Sequence, residues 1–119
     1  MTIEAASPSD GWWFVTVEVA GLRAVAQIDG DPMGIGQRID GWIASLDADW
    51  RGWSGERVWE SIEGTLRLTA THDGLGTVLL RARLARSLYL DDWVADVALW
   101  LDAGGLRALA RGAARFAAR

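Results

Sequence analysis

Apolar and polar residues alternate from Trp12 to Val19, with Trp13, Val15, Val17 and Val19 on one side and Trp12, Phe14, Thr16 and Glu18 on the other. Period-two alternation rich in β-branched and aromatic residues predicts a strand. After Ala20-Gly21 the alternation resumes, with Leu22, Ala24, Ala26 and Ile28 set against Arg23, Val25 and Gln27. The short turn predicts a hairpin. Asp29-Gly30-Asp31-Pro32 then breaks the sheet. From Ile35 the period changes. Ile35, Ile39, Trp42, Ile43 and Leu46 form one apolar stripe at helical spacing, so a helix is expected over Ile35–Leu46.

Strand periodicity returns beyond residue 57. Val58–Ile62 reads as a short strand. Thr65–Thr71 reads as a clear one, with Leu66, Leu68 and Ala70 inward and Thr65, Arg67, Thr69 and Thr71 outward. His72-Asp73-Gly74-Leu75-Gly76 is a glycine-bearing hairpin loop. Thr77–Ala85 puts Val78, Leu80, Ala82 and Leu84 inward and Arg81 and Arg83 outward. After a turn at Asp91-Asp92, Trp93, Ala95, Val97, Leu99 and Leu101 alternate with Val94, Asp96, Ala98 and Trp100. Past Asp102 the spacing of Leu106, Leu109, Ala110, Ala113 and Phe116 is helical, which places a second helix over Gly104–Phe116. Asp102 fits its N-cap, and the arginines toward the C-terminus suit the negative end of the helix dipole.

The expected order is β-β-α-β-β-β-β-α, preceded by a loosely held start over residues 1–11. Short connections between strands imply antiparallel pairing. The fold class is therefore α+β: a single domain over residues 1–119, with a mostly antiparallel sheet of five or six strands and two helices.

At 119 residues the chain can bury one sizeable core without staples. It has no cysteine, which removes disulfide and thiolate chemistry. All 12 basic residues are arginine, and the net charge is −4. An acidic balance argues against nucleic acid as a partner and suits a basic protein surface. The start of the chain has no basic and apolar leader pattern, and no apolar run is long enough to span a membrane. A cytoplasmic location without membrane association is the expectation.

No constellation in the sequence names a reaction. His72, the single histidine, reads as an exposed turn residue. Asp91, Asp92, Asp96 and Asp102 match no calcium-loop spacing and read as an acidic turn plus a helix cap. Asp29-Gly30-Asp31-Pro32 reads as a turn, and Gly34-Ile35-Gly36 lacks the further residues of a phosphate-binding loop. No metal or organic cofactor and no catalysis are expected. Outward Arg67, Arg81 and Arg83 line up with Asp96 and Glu60, either as a solvated charge ladder or as a partner-facing patch.

The stretch Trp50–Leu68, WRGWSGERVWESIEGTLRL, is the most unusual part of the chain. It holds three of the eight tryptophans and three glycines. By position Trp13, Trp42 and Trp93 fit core stripes, while Trp12, Trp59 and Trp100 alternate onto opposite faces. Within the stretch, anchored by the helix before it and the strand after it, Trp59 is expected in the core. Trp50 or Trp53 is expected to be partly exposed beside Arg51 or Arg57. Tryptophan and arginine dominate interface hot spots, so Trp50, Arg51, Trp53, Arg57, Arg67, Arg81 and Arg83 are the partner-binding candidates. A buried corner at Trp50 and Trp53 is equally open.

The GW-x-G-x-x-x-W-x-S-x-E-G pattern in this stretch, the hairpin strand from Gly76 to Leu84 and the closing Trp93–Leu106 segment resemble DUF6228, a family of small bacterial proteins. That family is similar in turn to the WapI-type immunity proteins of contact-dependent toxin systems. The resemblance covers roughly residues 12–115 and carries over no catalytic residue. It implies a non-catalytic protein that binds and neutralises a cognate toxin. A small-molecule-binding or regulatory module with a tryptophan-lined pocket is the alternative, and association of identical chains stays open.

Overall fold

The computed structural model describes residues 1–5, 11–30, 37–86 and 92–118. Seven strands and two helices follow in the order β1 (Thr2–Ala5), β2 (Trp12–Val19), β3 (Leu22–Asp29), α1 (Ile39–Ala48), β4 (Arg57–Glu60), β5 (Leu66–His72), β6 (Thr77–Ala85), β7 (Val94–Asp102) and α2 (Ala103–Ala117). All strand pairings are antiparallel. The class is α+β, as the alternation indicated.

The strands form two sheets, β1-β2-β3 and β4-β5-β6-β7, in place of one sheet of five or six. Alternation fixes which face of a strand is apolar but not which sheet the strand joins. The added strand is β1. Its four residues pair with Trp13–Thr16. A four-residue segment is too short for periodicity to announce. The expected helix start at Ile35, the Asp31-Pro32 break, the Gly34-Ile35-Gly36 opening and the turn residue Asp91 lie outside the described residues.

β3 lies against β5 and β6, and β2 reaches β7. The helices pack on each other, and α2 also contacts β1, β6 and β7. One apolar cluster runs through both sheets and both helices. It takes Val15, Val17 and Ile28 from the first sheet, Leu66, Leu68, Leu80 and Leu84 from the second, and Ile39, Ile43, Leu46 and Leu106 from the helices. These are the positions the two periods selected.

At one end the sheets are joined by polar bonds. The Thr65 hydroxyl donates to the Gln27 carbonyl at 2.7 Å, and the Asp29 amide donates to Glu63 Oε1 at 3.2 Å. Thr65 is therefore buried, contrary to its expected outward position. It lies just before β5, and its polar group is satisfied across the sheets rather than by water. Trp93 is the other exception. Ala85 at the end of β6 pairs with Val94, so Trp93 lies past the last rung and remains exposed rather than in the core.

Asp102 caps α2, accepting the Gly105 amide on its carboxylate at 2.6 Å. Replacing it with alanine removes that acceptor. The expected cost is about 1 kcal/mol, read as a lower urea midpoint with an unchanged slope.

Candidate functional site

The four-stranded sheet has one face in the core and one in solvent. Strand parity sends Arg67 and Thr69 of β5, Arg81 and Arg83 of β6, and Asp96, Ala98 and Trp100 of β7 to the open face. The register sets these side chains in rows. Glu60, Arg67, Arg83 and Asp96 stand side by side across all four strands. Val58, Thr69, Arg81 and Ala98 form the next row. Between the strands lies a shallow depression of about 300 Å³, lined chiefly by Arg67, Thr69, Arg81, Arg83, Asp96 and Ala98.

Arg67 sits directly opposite Arg83, and like charges so placed are destabilising. Among the described residues none of Arg67, Arg81 and Arg83 is in an ion pair, although Glu60 and Asp96 occupy neighbouring positions. Within these two rows three arginines stand against two carboxylates, on a chain of net charge −4. Trp100, 68% exposed, stands on the same face.

The tryptophan loop after α1 is a separate feature. Trp50 is 41% exposed, with the Arg51 guanidinium 5.3 Å from its ring centre. Trp53 is half-buried, and its indole N–H donates to the Ala70 carbonyl at 3.4 Å. Arg57 lies over the Trp53 ring at 4.7 Å and donates to Asp49 at 2.7 Å. Arg57 thus ties the loop to the end of α1. Trp59 is 8% exposed, and its N–H donates to the Gln37 carbonyl at 2.6 Å. The loop is therefore anchored by Trp53 and Trp59 and open at Trp50. No hydrogen bond, ion pair or ring contact joins this loop to the three sheet arginines among the described residues.

His72 too lies elsewhere than its sequence suggests. Its side chain is 1% exposed, not a free turn residue. Nδ1 accepts the Gly74 amide at 2.9 Å. Nε2 must then carry the proton that meets the Trp50 carbonyl, also at 2.9 Å. The imidazole is packed edge-on to Trp53, with ring centres 5.2 Å apart. Both nitrogens are engaged, so His72 fastens the loop to the β5–β6 hairpin and has no lone pair left for chemistry. Gly52, at φ +142°, brings the loop backbone close to this ring. Asp73 beside it is held below the usual carboxylate range, chiefly by the amides of Thr77 and Leu75. These contacts make it a loop brace.

Among the described residues there is no group of three or more side chains suited to hold a metal ion, and no helix is long and apolar enough to cross a membrane. The arrangement offers a charged, partly aromatic surface. Residues 2–119 match the family described as a family of unknown function, DUF6228. The chain belongs to DUF6228. No curated protein and no solved structure matches it.

Proposed function

We propose that this chain is a non-catalytic binding protein whose open sheet face grips an acidic surface of a protein partner, as an immunity protein grips its cognate toxin. One observation carries the reading. Arg67, Arg81 and Arg83 are gathered, without ion pairs among the described residues, on the exposed face of a regular sheet in an otherwise acidic chain. Arginine forks suit carboxylates, and a flat face with Trp100 beside it suits a broad contact rather than a small ligand. The depression on this face is lined by arginine, threonine, aspartate and small apolar residues, so it lends no support to a tryptophan-lined ligand pocket. A partner neutralised inside the producing cell places the complex in the cytoplasm.

The test is co-production with a toxin encoded beside the gene. The wild-type chain is expected to protect the cells. R67E/R81E/R83E, with an unchanged melting curve, is expected to protect at least about 100-fold less well, because reversed charges meet like charge on the partner. Full protection by the folded triple variant would sink the proposal.

A further inference from the structure

The outer edge of β7 is open to pairing. β7 sits at the end of its sheet and, among the described residues, is hydrogen-bonded to β6 alone. Its nine residues, VADVALWLD, run in unbroken register from Val94 opposite Ala85 to Asp102 opposite Thr77, with no bulge. Edge strands normally carry devices that block further pairing, such as lysine, proline, a bulge or short length. The opposite edge of the same sheet, β4, has one of these: it is four residues long. β7 has none of them, and Asp96 is its single charge before the terminal Asp102. It also exposes Val94 at 53% and Trp100 at 68%.

We propose that β7 pairs antiparallel with β7 of a second copy of this chain, around a two-fold axis at Val97. The strand is complementary to itself in that register. On the open face Val94 meets Trp100 of the second copy, so the two large exposed apolar side chains of the strand cover each other. Asp96 meets Ala98 of the second copy and stands in the same row as its Arg81, one strand further on, so opposite charges face the seam from its two sides. On the core side, half-buried Ala95 meets half-buried Leu99. Exposed Trp93, left past the end of the β6 ladder, comes opposite Leu101 of the second copy. The result is one eight-stranded sheet with the arginines of both copies on the same side. This inference rests on the edge and its sequence, independently of what the arginines bind.

Light scattering of the purified chain over a concentration series tests it. The wild type is expected to have the mass of a dimer, and V94K/W100K the mass of a folded monomer, since both positions are exposed. The chain has no cysteine of its own. D96C/A98C is therefore expected to cross-link between copies on mild oxidation, because directly opposed residues lie within disulfide reach. A monomer at every concentration would overturn the proposal. So would a dimer that V94K/W100K leaves intact, or one that D96C/A98C fails to cross-link.

Discussion

Replacing Trp59 with alanine is expected to remove about 3–5 kcal/mol of stability. The indole is 8% exposed and packs in the core cluster between β4 and the start of α1. Three losses coincide. A large apolar side chain leaves the core, a cavity remains where both ends of the segment are fixed, and the Gln37 carbonyl loses its 2.6 Å donor. Domains of this size are stable by only about 5–15 kcal/mol, so the variant sits close to unfolding. Urea unfolding followed by circular dichroism reads the change directly. Trp53→Ala is expected to cost clearly less. That ring is half-buried, its 3.4 Å bond to Ala70 is long, and Arg57 and His72 keep their other bonds without it. Equal losses from both variants would make the whole stretch a structural corner and remove Trp53 from any partner surface.

Gly30→Ala is expected to produce the second large effect, about 3 kcal/mol, at the upper end of the usual cost of overpacking. Gly30 is buried where β3 ends, and its amide donates to the Gly11 carbonyl at 3.0 Å. A Cβ there would overlap the fused-ring atoms of Trp13. The indole has little room to yield. It stands edge-on against Phe116 of α2, with ring centres 5.0 Å apart, and the Arg38 guanidinium lies 5.4 Å from its centre. Moving it disturbs the contact between the first sheet and α2. The cost is steric and would appear as a lower thermal midpoint together with a shifted tryptophan emission. An unchanged midpoint would show that Trp13 has a second orientation available at no cost.

Both effects come from tryptophans, and the two were not equally legible in the sequence. Trp13 could be placed by alternation with Val15 and Val17, because that rule depends on neighbours in the same strand. Trp59 lies in a strand of four residues, too short for alternation, and was placed by the fixed ends around it. Arg67, Arg81 and Arg83 were legible as outward for the same reason of parity, and the register then made them neighbours. The division into two sheets was not legible. It depends on which apolar faces meet, and polar ties such as Thr65 to Gln27 link residues far apart in the chain. The burial of His72 was hidden in the same way, since the Trp50 carbonyl and the Trp53 ring that enclose it come from a distant loop. Trp93 continued an alternating series, but a strand pattern does not say where the neighbouring strand ends.

The central claim is that the arginine-bearing sheet face is the surface that holds the partner. Titration calorimetry of the purified protein against its toxin tests it most directly, comparing the wild type with R67E/R81E/R83E at two salt concentrations. The account predicts wild-type binding that weakens as salt rises, and an affinity at least about 100-fold lower for the folded triple variant, roughly 2.7 kcal/mol. Equal affinity of the two proteins, at either salt concentration, would contradict it.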